Sequence, residues 1–105
     1  MGIFSSLFGK KDDTDYAQLV KEGAIVLDVR SKSEFAGGHI AGSINIPVGE
    51  LAKNLDQLKD KNRVIITCCA SGMRSATAKS TLNSGGYPNV YNGGGWKNLE
   101  YKLTH

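Results

Sequence analysis

Two stretches of this chain, Ala24-Ile25-Val26-Leu27 and Val64-Ile65-Ile66, carry no polar residue on either side of the backbone. Successive strand residues point to opposite faces, so an unbroken apolar run reads as a strand buried on both of them. Helical patterns lie between and around these runs. Tyr16, Leu19 and Val20 follow the oxygen-rich Asp12-Asp13-Thr14, which offers N-cap acceptors, and Gly23 can end that helix. Ser31 with Glu34 forms a capping box for a short helix ending at Gly37-Gly38. A brief strand over 43–46 stops at Pro47, and 50–58 sets Leu51, Leu55 and Leu58 on one helical face. After the strand over 63–67, a helix is expected over 71–83 and a last short strand over 89–91. The Gly93-Gly94-Gly95 run then leads to Trp96 and a terminal helix. This alternation predicts an α/β fold, a mostly parallel sheet with helices on both faces. Ligands of such sheets sit outside the carboxyl ends of the strands.

The chain's 105 residues suit one core. The expected division is a flexible N-terminal segment, 1–11, and one domain, 12–105. Ile3, Phe4, Leu7 and Phe8 can share an apolar face above Lys10 and Lys11. Weak contact with a membrane surface or a partner is the lesser reading of that face, and a frayed or self-packed terminus the greater. The segment is too short and interrupted to span a bilayer, and it lacks the regions of an export signal, so a cytoplasmic location is expected. The 13 basic and 10 acidic residues are scattered rather than clustered, which excludes a nucleic-acid footprint.

The sheet edge gathers the chemistry. Asp28 and Arg30 follow the first apolar run, and Cys68 and Cys69 follow the second. Adjacent cysteines bridge each other only with strain, which points to free thiols and a reducing compartment. Neither His39 nor His105 stands at a ligand spacing from them, so no zinc site is expected. From Cys69 the chain runs Ala70-Ser71-Gly72-Met73-Arg74-Ser75 into a helix. Small residues let successive N–H groups turn toward a central sulfur, and the helix start adds a positive dipole end. Both favour the thiolate, the reactive form of a thiol. Arg74 can fork onto an oxyanion. A buried, inert cysteine before an ordinary helix is the bland alternative.

The chain resembles a single-domain rhodanese from about Asp15 to Trp96. The resemblance is carried by Leu27-Asp28-Val29-Arg30, by Glu34-Phe35, by Gly38-His39-Ile40-Ala41-Gly42-Ser43-Ile44-Asn45-Ile46-Pro47, by Cys69-x-Ser71-Gly72-x-Arg74-Ser75, and by Tyr91-Asn92-Gly93-Gly94 before Trp96. It implies a rhodanese-like domain with about five strands and a persulfide sulfurtransferase activity. Cys69 would take a sulfane sulfur from a small anionic donor such as thiosulfate. The sulfur would pass to cyanide or a thiol, which can be a protein thiol. Ala70, Ser71, Gly72, Met73, Arg74 and Ser75 would bind the substrate, with Arg74 the contact to the donor anion. No metal or organic cofactor is implied.

Two other functions compete. A sulfur relay or binding module would use the same loop for a partner protein's thiol. A phosphatase related to this fold would use a Cys-x5-Arg loop, and counting from Cys68 to Arg74 gives that spacing. The residues after Cys69 and the small loop, too narrow for a tetrahedral phosphate, favour sulfur. Cys68 itself reads as a small buried residue ending the strand, rather than a thiol that resolves an oxidised Cys69. Asp28 and Arg30 read as an ion pair more than as anchors of the loop. His39 reads as a turn residue rather than a base, and Trp96 as core.

Overall fold

The structure, a computed structural model, describes residues 13–105. The expectations for 1–11 lie outside the described residues. Helix α1 (Tyr16–Lys21) precedes strand β1 (Ile25–Asp28), and a short α2 (Lys32–Ala36) leads to β2 (Ile44–Asn45). Two 3-10 turns, Val48–Lys53 and Leu55–Gln57, come before β3 (Ile65–Cys69). Helix α3 (Met73–Ser84), β4 (Val90–Gly95) and α4 (Trp96–Thr104) complete the chain. The strands form a wholly parallel sheet in the order β2-β1-β3-β4. Among the described residues the sheet therefore has four strands, one fewer than expected.

Residue parity sorts the core into two layers. Leu27, Val29, Ile65, Cys69 and Val90 face α3 and the 3-10 turns, against Leu51, Leu58, Ala78 and Leu82. Val26, Ile66 and Cys68 face α1 and α4, against Tyr16 and Leu99. Leu27, Ile65, Ile66, Leu82 and Leu99 are wholly buried, and each such side chain contributes about 1.5–3 kcal/mol. The two apolar runs thus supply both layers at once.

Several local expectations shift. The N-cap of α1 is Asp15, whose side chain accepts from the Gln18 N–H, and not a residue of 12–14. The capping box at Ser31 and Glu34 forms as read. The leucine face over 50–58 winds as 3-10 turns instead of one α-helix, and Leu51 and Leu58 still reach the core. Strand β3 begins and ends two residues later than predicted, so Cys69 closes the strand rather than following it.

The largest shift is at the glycines. Strand β4 runs straight through Gly93, Gly94 and Gly95. A Cβ at Gly93 would lie 2.8 Å from Ile66 Cγ2 and 2.9 Å from the Thr67 carbonyl oxygen. Only a residue without a side chain lets β4 pass so close to β3. Pairing then slips: Thr67 pairs with Asn92, but Cys69 pairs with Gly95. The extra residue on β4 makes a bulge beside the end of β3, a device that re-aims the chain next to a site.

Candidate active site

The Cys69 side chain is 1% exposed and lies at the floor of the loop that joins β3 to α3. Its Sγ accepts the Gly72 N–H at 2.9 Å and the Ser75 N–H at 3.3 Å. Gly72 has φ +112°, a left-handed conformation that costs a residue with a Cβ and not glycine. That turn brings the Gly72 amide under the sulfur. Burial pushes the Cys69 thiol up. Bonds from the Ser75 hydroxyl and from the amides of Ser75, Gly72 and Ser71 outweigh it, and the thiol ends below its ordinary value. The loop is thus a cradle for a sulfur anion, at the start of the twelve-residue α3.

Ser75 is the pivot of the cradle. In the thiol form Cys69 Sγ–H donates to Ser75 Oγ at 3.6 Å. The Ser75 hydroxyl has one proton and two oxygen acceptors in reach, Asn92 Oδ1 at 2.6 Å and the Gly72 carbonyl at 2.9 Å. When Cys69 ionises, that proton can swing to the sulfur. Asn92 Oδ1 also accepts the Gly94 N–H at 3.0 Å, which fixes the oxygen end of the amide toward Ser75. Thr67 Oγ1 donates to the Ser75 carbonyl at 2.9 Å and ties the start of α3 to β3. Sequence reasoning gave no role to Thr67 or Asn92. Asn92 precedes the glycine run, and an amide beside glycines that must bend was the signal available.

Cys68 points the other way. It sits in the layer with Tyr16, Ile66 and Leu99, in register with Asp28 of β1. Burial first, then the neighbouring Asp28 carboxylate, push its thiol up to about 12. The two cysteines are free thiols on opposite faces of one strand.

The other predicted loop residues divide by exposure. Ala70 and Ser71 are exposed, and the Met73 side chain is 80% exposed, so these three meet whatever approaches. Arg74 is already engaged. Its Nη1 and Nη2 donate to Glu34 Oε1 and Oε2 at 2.8 and 3.0 Å. The pair uses two of the five guanidinium N–H groups and leaves others able to face an anion.

Asp28 and Arg30 form a buried ion pair. Arg30 Nη2 and Nε donate to the carboxylate at 2.7 and 2.9 Å, and Nη2 also reaches the Gly38 carbonyl at 2.7 Å. The Arg30 guanidinium lies 4.6 Å from the centre of the Trp96 ring. This cluster joins β1, the turn after α2 and the start of α4 beneath the sheet edge. His39 stacks on Phe35, with ring centres 3.7 Å apart, and its Nδ1 lies 2.7 Å from the Phe35 carbonyl oxygen. That is a turn role. Beside the loop a groove of about 580 Å³ is lined by Ala70, Gly95, Trp96, Lys97, Asn98 and Tyr101.

A four-stranded parallel sheet with a cradled thiol at its carboxyl edge defines the class: an α/β domain with a candidate cysteine site. The chain belongs to the rhodanese-like domain family, whose model matches residues 12–101. It is 35% identical over 74 residues to the thiosulfate sulfurtransferase PspE of Escherichia coli, covering 70% of this chain and 71% of that one. It is also 35% identical over 85 residues to the putative sulfur carrier protein YrkF of Bacillus subtilis, 81% of this chain. The chain spans 42% of YrkF and 64% of the Bacillus subtilis protein YqhL, less than two thirds of either relative. Among solved structures, a rhodanese with anions from E. coli superposes with a TM-score of 0.68 at 34% identity, covering 72% of this chain and 91% of that one. No helix among the described residues is long and apolar enough to cross a membrane.

Proposed function

We propose that this protein is a sulfurtransferase that carries sulfane sulfur as a persulfide on Cys69. The observation that carries this reading is the convergence of the Gly72 and Ser75 amides on Cys69 Sγ at 2.9 and 3.3 Å. In the first half-reaction the Cys69 thiolate attacks the outer sulfur of a donor. With thiosulfate, Cys69–S⁻ and S–SO₃²⁻ give Cys69–S–S⁻ and SO₃²⁻, and the S–S bond of the donor breaks with its electron pair leaving on sulfite. In the second, cyanide attacks the outer sulfur, forms thiocyanate and returns Cys69–S⁻. A thiolate acceptor likewise takes the sulfur and leaves as its own persulfide.

The residues divide the work. The amides of Ser71, Gly72 and Ser75 and the Ser75 hydroxyl stabilise the sulfur anion, each charge-assisted bond contributing about 1.5–3 kcal/mol. Arg74 meets the anionic part of the donor. The groove over Ala70, Trp96 and Tyr101 admits an acceptor, including a thiol on another protein. The loop from Cys69 to Arg74 is one residue shorter than the Cys-x5-Arg spacing of a phosphatase, which suits sulfur better than a tetrahedral phosphate. A phosphatase using Cys68 finds no support, because that thiol faces the other layer of the core.

Protein treated with thiosulfate and desalted is expected to gain about 32 Da on Cys69, read by intact mass and peptide mapping. Formation of the same adduct by the Cys69→Ser variant, or no adduct on wild type from any sulfane donor, sinks the proposal.

A further inference from the structure

The sulfur cradle and the donor contact carry opposite electrostatic signatures. The cradle attracts negative charge. Arg74, the cation beside it, is matched by a carboxylate brought from 40 residues away. The two groups meet through two parallel N–H···O bonds, the geometry that fixes a guanidinium most firmly. Both side chains remain more than a third exposed, 39% for Arg74 and 37% for Glu34, and the Cys69 charge acts on Arg74, so the pair is an exposed neighbour of the site.

Glu34 does not depend on Arg74 for its position. It is the third residue of α2, and its Oε1 accepts the Ser31 N–H at 2.9 Å while Ser31 Oγ accepts the Glu34 N–H at 3.2 Å. The Glu34 carbonyl lies 3.4 Å from Nη1 of the buried Arg30. The helix cap therefore holds the carboxylate in place, and Arg74 is drawn to it. The bond from Arg74 and those from Ser31 keep this carboxyl at about 2, so it is ionised wherever thiol chemistry runs.

A donor approaching Cys69 then meets a guanidinium whose fork is already taken by a carboxylate. Thiosulfate brings two charges of the same sign and competes with Glu34 for Arg74. A hydropersulfide reacts through its protonated form, R–S–S–H, and needs no guanidinium fork at its outer sulfur. We propose that Glu34 is a specificity-determining residue of the Cys69 site. By occupying the Arg74 fork, it disfavours small dianionic donors, which need that fork, and favours organic hydropersulfides, which do not. This inference rests on the sulfurtransferase reading. With the hydropersulfide, Cys69–S⁻ and R–S–S–H give Cys69–S–S–H and R–S⁻, so sulfur and proton move together and charge is conserved.

The test measures the second-order rate of sulfur uptake by Cys69 in single turnover, by quenched intact mass. The donors are thiosulfate and the hydropersulfide of N-acetylcysteine methyl ester. Glu34→Gln removes the charge and keeps an oxygen for the Ser31 N–H, since glutamine also serves in a capping box. The variant is expected to take sulfur from thiosulfate roughly tenfold faster than wild type, with the hydropersulfide rate changed less than about twofold. Glu34→Ala, carried in parallel, is expected to shift the ratio in the same direction, so the result does not hang on one variant folding. Ser31→Ala weakens the cap but keeps the carboxylate, and is expected to leave the donor ratio at the wild-type value. A ratio that does not move in either Glu34 variant, a fall in the thiosulfate rate, or an equal shift in Ser31→Ala overturns the inference. If wild type takes sulfur from both donors while the ratio stays put, only this inference fails. If wild type takes it from neither, the sulfurtransferase reading fails first.

Discussion

Cys68 and Cys69 are neighbours in the chain and strangers in the fold. Cys69 faces the α3 layer, where amides converge on it and its thiol falls below the ordinary value. Cys68 faces the α1 and α4 layer, where burial beside Asp28 pushes its thiol up to about 12. Both are buried, so burial does not separate them. What separates them is supply of donors: a strand end gives amides to the face on which the chain turns into a helix, and none to the other. One residue of register decides which thiol meets the amides.

That contrast can be broken most directly by exchange of the thiols. Cys69→Ser is expected to abolish sulfur uptake from thiosulfate, a loss of roughly a thousandfold or more, while Cys68→Ser stays within about threefold of wild type in the same mass assay. An adduct that survives in Cys69→Ser and vanishes in Cys68→Ser would reverse the assignment.

Alkylation of the native protein sharpens it without mutation. Iodoacetamide labels thiolates, so Cys69 is expected to react first and Cys68 only on unfolding, with rates at pH 8 differing by roughly a hundredfold or more. Because the Cys69 thiol is lowered, its labelling should rise with pH and level off earlier than that of an ordinary thiol. Equal labelling of both peptides in folded protein would contradict the opposite shifts.

Removing the pivot should move one thiol toward the other. Ser75→Ala deletes the hydroxyl and keeps the amide, so the midpoint of Cys69 labelling is expected to rise by about one pH unit, a loss near 1.4 kcal/mol of thiolate stabilisation. Asn92→Ala is expected to shift it less, since Asn92 does not touch the sulfur and acts through Ser75, Gly94 and the Gly72 carbonyl. A midpoint unmoved in Ser75→Ala would show that the amides suffice.

A separate effect concerns stability in alkali. A thiol whose folded value is raised keeps its proton when the unfolded chain has lost it. The folded state then binds more protons, and stability falls as pH rises from about 9 toward 12. Cys68→Ala removes this dependence at a cost of about 1 kcal/mol near neutrality. The urea midpoint of wild type should therefore fall more steeply above pH 9 than that of the variant. Parallel curves would show that Cys68 does not titrate as its surroundings require.

The two arginines extend the same lesson. Arg30 and Arg74 each fork onto a carboxylate, but Asp28–Arg30 is buried at 0% and 5% exposure while Glu34–Arg74 is more than a third open. Pairing of Asp28 with Arg30 was legible in the sequence, because charges two residues apart at a buried strand end have few other partners. Pairing of Arg74 with Glu34 was not. It spans 40 residues, and each had a sufficient local role, one as a cap and one as an anion contact.

By itself the sequence determined the layered parallel sheet, since two wholly apolar runs have no stable home except between two layers of helices. It also determined the candidate loop, because Ala70, Ser71 and Gly72 are small enough to turn their amides inward. Two things waited for the tertiary structure. One is the course of β4 through three glycines, set by how closely that strand must pass Ile66 and Thr67. The other is the separation of the two thiols into different layers, which follows from where β3 ends, a boundary that local propensity misplaced by two residues and pairing with β1 and β4 fixed.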